Sequence, residues 1–199
     1  MKLKVKNKNL ERATNTEIDL MNFTLKYNKT NSYFKKEKSI PKNPLQHKIA
    51  AILVGMNYNW FQNSLTKEAI VNAKVKNKMY SVLYDKMKFE DWVLSEETKM
   101  IDGYTCFKAE RKQLNNRTGK YMLITAWCTP DIPVPYGPVG EGGLPGLILQ
   151  VNVGSFLFIA TEITLNPNKN KVLLPKEKEK ISNKKYSQLL RNSRKVTID

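Results

Sequence analysis

The sequence predicts a mainly β fold of the α+β class: a curved antiparallel sheet or half-barrel of meander hairpins with one or two peripheral helices. Three observations carry that expectation. From Lys78 onward apolar and polar residues alternate with period 2, in runs cut by turn signals at Asp102-Gly103, Asn115 to Gly119 and Val153-Gly154-Ser155. Residues 127–150 hold five of the nine prolines and five of the nine glycines, a density that neither a helix nor a central strand tolerates. Helical signals are confined to two stretches, Leu45 to Met56 and Ser182 to Arg191.

The elements follow in order. Residues 1–17 are basic, polar and expected to be disordered, with Leu3 and Val5 allowing at most a short edge strand. Residues 18–165 form the β domain, including the Gly/Pro loop 128–146. Within it, Phe23, Leu25 and Tyr27 alternate as a strand, Asn28 to Ser32 turns, and Tyr33-Phe34 starts the return. In the first helix Leu45, Ile49, Ile52, Leu53 and Met56 share one face. Tyr58, Trp60 and Phe61 read as core, and His47, the only histidine, as a surface residue. Met79 to Tyr84 and Asp91 to Met100 are strands.

An Asp102-Gly103 turn pairs Thr98 with Phe107 and Glu97 with Lys108. Centring the next turn on Arg117 pairs Phe107 with Trp127 and Cys106 with Cys128. That register buries Trp92, Leu94, Phe107, Ala109, Tyr121, Leu123 and Trp127 and leaves both cysteines on the wetter face. Beyond the loop, Leu147 to Val151 and Phe156 to Ile163 form a hairpin, closed by Asn166-Pro167-Asn168. Residues 166–199 are a basic segment with a short helix N-capped by Ser182, its apolar stripe Tyr186, Leu189 and Leu190.

Charge separates the ends from the middle. The net +16 falls as 12 Lys/Arg against 4 Asp/Glu in residues 1–48, 12 against 11 in 49–162, and 10 against 3 in 163–199. Such ends read as solvated tails; a basic intracellular protein binding nucleic acid through them is an alternative, but no nucleic-acid motif accompanies it. No run approaches the ~18 apolar residues of a membrane span.

The loop offers little chemistry. It lacks P-loop spacing, and a strand follows it instead of a helix. Asp131 and Glu141 make no defined acid–base pair, and one histidine gives neither a triad nor a metal site. No catalytic, cofactor-binding or metal-ligating residue is assigned, and no cofactor is expected. Pro145 and Gly146 suit positions i+1 and i+2 of a type II turn, with Gly146 at positive φ.

Gly143-Leu144-Pro145-Gly146-Leu147-Ile148 resembles the motif that names the GLPGLI family. Trp127, Pro130, Asp131 and Pro133, then Tyr136-Gly137-Pro138, resemble the pattern upstream of it, and Gly103 to Ala109 its earlier strand. The resemblance spans residues 79–165. It implies a mostly β, exported protein of the Gram-negative envelope, periplasmic or associated with the outer membrane, with no established activity. A chain starting at Met1 shows basic residues without the apolar stretch of a signal peptide, which by itself would keep it in the cytoplasm. Export, an even cysteine count and the expected register together favour a Cys106–Cys128 disulfide. The functional expectation is a non-catalytic binding module using an apolar sheet face and the loop, its partner a lipid, an extended peptide or an outer-membrane receptor. The competing class is an enzyme or metal-handling protein whose site sequence motifs do not reveal.

Overall fold

The computed structural model describes residues 1–7, 12–53, 59–86, 88–115, 118–165, 172, 175–176 and 178–194. Met56, Tyr58, Arg117 and Asn166 to Asn168, singled out above, lie outside them. The described residues form β1 (Lys2–Asn7), α1 (Arg12–Asp19), β2 (Asn22–Tyr27), β3 (Asn31–Lys36), α2 (Pro44–Leu53), β4 (Trp60–Asn63), β5 (Glu68–Val75) and β6 (Lys78–Asp85). They continue with β7 (Val93–Ile101), β8 (Tyr104–Leu114), β9 (Tyr121–Thr129), β10 (Leu147–Val153), β11 (Phe156–Glu162), β12 (Glu179–Ser182) and α3 (Asn183–Arg194). One open mixed sheet holds all twelve strands in the order β12-β6-β5-β4-β3-β2-β1-β11-β10-β9-β8-β7. Two antiparallel meanders, β2 to β6 and β7 to β11, meet on either side of β1, and β12 adds to β6 in parallel.

The seam between the meanders is a correction to the sequence reading. Residues 2–7 are a central strand, paired with β2 and β11, and not part of a disordered tail. Leu3 and Val5 point into the core while the alternating lysines face out, where Lys2 meets Glu162 at 2.7 Å and Lys4 donates to the Asp19 carbonyl. Beneath them Phe23, Phe34 and Phe158 pack with ring centroids 5.5–6.1 Å apart. Strand β5 was also missed, although Ala69, Val71, Ala73 and Val75 alternate and are buried.

Helix α1 packs on β1 and α2 on α1. His47 is not a surface residue: its Nδ1 pairs with Glu17 Oε2 at 3.1 Å, and Glu17 Oε1 accepts from the Asn43 amide at 2.7 Å. Lys36 Nζ lies 3.3 Å from His47 Nε2. Ala50 and Ala51 face inward, whereas Leu45, Ile49, Ile52 and Leu53 are exposed.

The second meander is inverted relative to expectation. The β8–β9 register pairs Phe107 with Cys128 and Lys108 with Trp127, one residue away from the expected pairing. Thr98 does face Phe107, but the β7–β8 ladder shifts between Leu94 and Thr98; Lys108 still reaches Glu97 at 2.8 Å. Cys106, Ala109, Arg111, Ile124, Ala126 and Cys128 are buried. Leu94, Phe107, Tyr121 (71% exposed) and Leu123 (53% exposed) face solvent, and Trp92 and Trp127 are half-buried. On this inner side Arg111 reaches Glu141 of the Gly/Pro loop. On these facings Ile124→Ala should cost about 2–5 kcal/mol, and Leu123→Ala, its neighbour on the outer face, about 0.5 kcal/mol or less. Urea unfolding of the two variants checks the assignment, and equal losses would refute it.

Cys106 and Cys128 are free, buried thiols, and no disulfide joins them. The register leaves them offset instead of directly opposed. Burial pushes each thiol up to about 11. The folded state therefore keeps its protons where the unfolded thiols lose them, so this contribution to stability is full below pH 9.0 and falls as the pH rises toward about 11. Near neutral pH the raised values alone should slow alkylation by up to about a hundredfold relative to an exposed thiol. Timed alkylation with mass readout before and after urea tests this.

Candidate functional site

The Gly/Pro loop lies inside the sheet's buried side. Residues 136–142 are a continuous buried run, and Tyr136 is among the largest fully buried side chains. A buried loop is stable only if its backbone groups are paired, and the prolines arrange that. Val134 N–H donates to the Ile132 carbonyl (2.8 Å), Tyr136 N–H to Val134 (2.9 Å) and Gly146 N–H to Leu144 (2.8 Å). Each is a three-residue turn centred on a proline, Pro133, Pro135 or Pro145, whose fixed φ suits the inverse γ-turn. Leu147 and Ile148 then donate to Ile132 and Tyr136, and Gly143 to Pro135, folding the loop back on itself. The expected type II turn is thereby corrected: Gly146 is not at positive φ, and Gly140 (78°) and Gly143 (83°) are. Gly146 is needed instead for close approach, since a Cβ there would overlap the Thr129 carbonyl.

At the loop's centre Glu141 is fully buried between two cations. Lys88, on the β6–β7 connection, donates to Oε1, and Arg111 of β8 donates to Oε2. Lys88 Nζ lies 4.9 Å from the Trp60 ring centroid, and the Arg111 guanidinium 5.0 Å from that of Trp92. Burial pushes the Lys88 ammonium below the usual lysine range; Glu141 opposes that shift and Arg111 adds to it. The surrounding backbone is equally tied. Gln62 of β4 donates to the Glu141 carbonyl (2.8 Å) and accepts from Ser32 (2.7 Å). Trp92 Nε1 donates to the Gly142 carbonyl (2.8 Å), and Gly142 N–H to the Lys88 carbonyl (2.9 Å). Val139 is held at φ 51°, a costly conformation for a β-branched residue. With both carboxylate oxygens taken and no exposure, Glu141 clamps the loop and has no free side for a substrate.

Only part of the motif reaches the surface. Tyr136, Gly137, Pro138, Leu144, Gly146, Leu147 and Ile148 are buried, while Pro130, Asp131, Pro133, Gly143 and Pro145 are exposed. Trp127 is half-buried under the Lys99 ammonium, 4.1 Å from its ring centroid, and Lys99 also donates to Gln150 (2.7 Å). Asp131 to Val134 line a cleft of about 460 Å³ together with Leu25, Tyr27 to Lys29, Met1, Thr164 and Leu165. The Tyr27 hydroxyl at this cleft is buried without a hydrogen-bond partner among the described residues. Among the described residues no group of three or more His, Cys, Asp or Glu side chains is placed to hold a metal ion. Among the described residues no helix is long and apolar enough to cross a membrane.

Sequence reasoning weighed Glu141 only as a catalytic acid and missed Lys88 and Arg111. The one signal available was a lone carboxylate inside a Gly-rich run that burial would force to find cations.

Residues 110–150 match a family described as a protein of unknown function (Porph_ging). That span begins just before Arg111 and ends just after the loop. No curated protein matches the chain significantly. The solved structure of PNGF-II in the C2 space group is similar at a TM-score of 0.60 and 18% identity over 97% of this chain. PNGF-II in the P21 space group gives 0.56 and 17%, also over 97%. The chain spans about a third of the length of those proteins, 33% in each case, and the likeness is one of fold.

Proposed function

We propose that this chain is a non-catalytic binding module of the cell envelope, a GLPGLI-family protein that seats an extended peptide segment of a partner in the cleft beside Asp131 to Val134. The observation that carries the reading is the contrast within the loop: its centre is clamped by Lys88 and Arg111, and its first segment, with Asp131 and Pro133 exposed, lines that cleft. A preformed lining lowers the ordering cost of binding, and the cleft's volume lies in the range of ligand sites. Leu25, Ile132 and Val134 supply apolar lining, while Lys29 and Asp131 supply one charge of each sign. A curved sheet fits the same picture. Gln62 on β4 and Arg111 on β8 both bond residue 141, although β4 and β8 stand seven places apart in the strand order. A flat sheet at about 4.8 Å per strand would keep them more than ~30 Å apart.

Selection from a displayed peptide library, followed by NMR titration, tests the proposal. Selected peptides should shift the resonances of residues 25–29 and 131–134, and Val134→Arg, which fills the cleft, should weaken them by at least about tenfold. Peptides that shift other regions, or bind Val134→Arg equally well, would overturn it.

A further inference from the structure

Helix α2 turns its more apolar side to solvent. Its inner side is His47, Ala50 and Ala51, whereas Leu45 and Ile52 are each 66% exposed and Ile49 and Leu53 are exposed beside them. The spacing 45, 49, 52, 53 makes these four one stripe. Ile40, just before the helix, is 92% exposed. Residues 38–53 contain three lysines and no carboxylate. Lys38, Lys42 and Lys48 are all exposed, and none has an ion-pair partner among the described residues. The carboxylates packed nearby are committed: Glu17 is buried against His47 and Asn43, and Glu37 pairs with Lys35 at 3.1 Å. The surface is therefore an aliphatic ridge inside uncompensated positive charge.

We propose that α2 and the segment leading into it form a docking surface for an anionic lipid membrane. The aliphatic stripe enters the headgroup boundary and the three lysines meet lipid phosphates, the arrangement of an interfacial amphipathic helix. Charge decides the occupant: a second copy docking through the same face would bring its own unpaired lysines against these. Four aliphatic side chains on a ten-residue helix bind a membrane only marginally, so the lysines are an essential half of the site.

The full chain is tested by flotation with vesicles of phosphatidylcholine alone and of phosphatidylcholine mixed with phosphatidylglycerol. Binding is expected only to the anionic vesicles and should weaken with added salt. Leu45→Gln with Ile52→Gln should lower it at least about tenfold. Lys38→Gln, Lys42→Gln and Lys48→Gln together should lower it about a hundredfold. Melting temperatures should stay unchanged, because all five side chains are exposed. Lys184→Gln with Lys185→Gln on α3 serves as a control and should bind like the parent. The proposal is overturned if the parent does not float with anionic vesicles, or if the α2 variants float undiminished. It is equally overturned if the α3 control loses as much as the lysine variant, which marks nonspecific charge attraction. Sedimentation showing a dimer that Leu45→Gln with Ile52→Gln dissolves would make this face a self-association surface instead.

Discussion

Glu141→Gln should destabilise the protein by about 3–5 kcal/mol, the cost of leaving buried charges without their counterion. The substitution keeps the shape of the side chain, so packing changes little. What it removes is, among the described residues, the only anion bonded to Lys88 and Arg111, both of which are buried. A neutral amide still accepts a hydrogen bond but neutralises neither cation. Removing a cation instead should hurt less: Lys88→Met leaves Glu141 paired with Arg111 and replaces a poorly solvated ammonium with an apolar chain. Urea unfolding at neutral pH measures both. If Glu141→Gln unfolds at the parent's midpoint, the cluster does not hold the loop in place.

Gly143→Ala should cost about 3 kcal/mol or more, against about 1–2 kcal/mol for Gly103→Ala. The two glycines have nearly the same backbone angle, φ 83° and 82°, so the strain of an L-residue at positive φ is common to both. They differ in surroundings. A Cβ on Gly103 meets nothing within 4 Å, whereas one on Gly143 overlaps the Phe89 carbonyl, backbone that carries Lys88 next to it. The difference between the two variants thus isolates the close approach of loop and β6–β7 connection. Equal losses would mean that the connection yields freely and that the loop is not wedged against it.

Several features were legible because their causes lie within a few residues. Asp102-Gly103 is a two-residue hairpin turn with φ of 51° and 82°, the combination that type I′ requires and this pair of residues favours. Asn28 Oδ1 accepts from the amides of Thr30 and Asn31, setting the β2–β3 turn. Ser182 Oγ accepts from the Lys185 amide and starts α3, with Tyr186 buried on the expected stripe. The prolines made the loop recognisable as one of fixed shape. In each case a side chain or a ring constrains the backbone beside it, and that constraint operates in any tertiary setting.

The rest required partners distant in the chain. The sequence put Leu123, Tyr121 and Phe107 inside because they are larger and more apolar than Ile124, Ala126 and Cys106 taken together with Arg111. The fold reverses this: the inner side carries Cys106, Ala109, Ile124 and Ala126 together with Arg111, whose charge is required there because it meets Glu141 of the loop. The strand β1 looked like a tail because each of its apolar residues is flanked by lysines; it is central because β2 and β11 flank it and only one of its faces is buried. His47 and Glu17 are 30 residues apart, and Glu141 is 53 residues from Lys88 and 30 from Arg111. Turn chemistry is local, so the chain specifies by itself where it bends. Which face is buried, and which charge can remain in the interior, depends on the volume and the charge that other segments bring to that point, and those are settled only when the two meanders close on the loop.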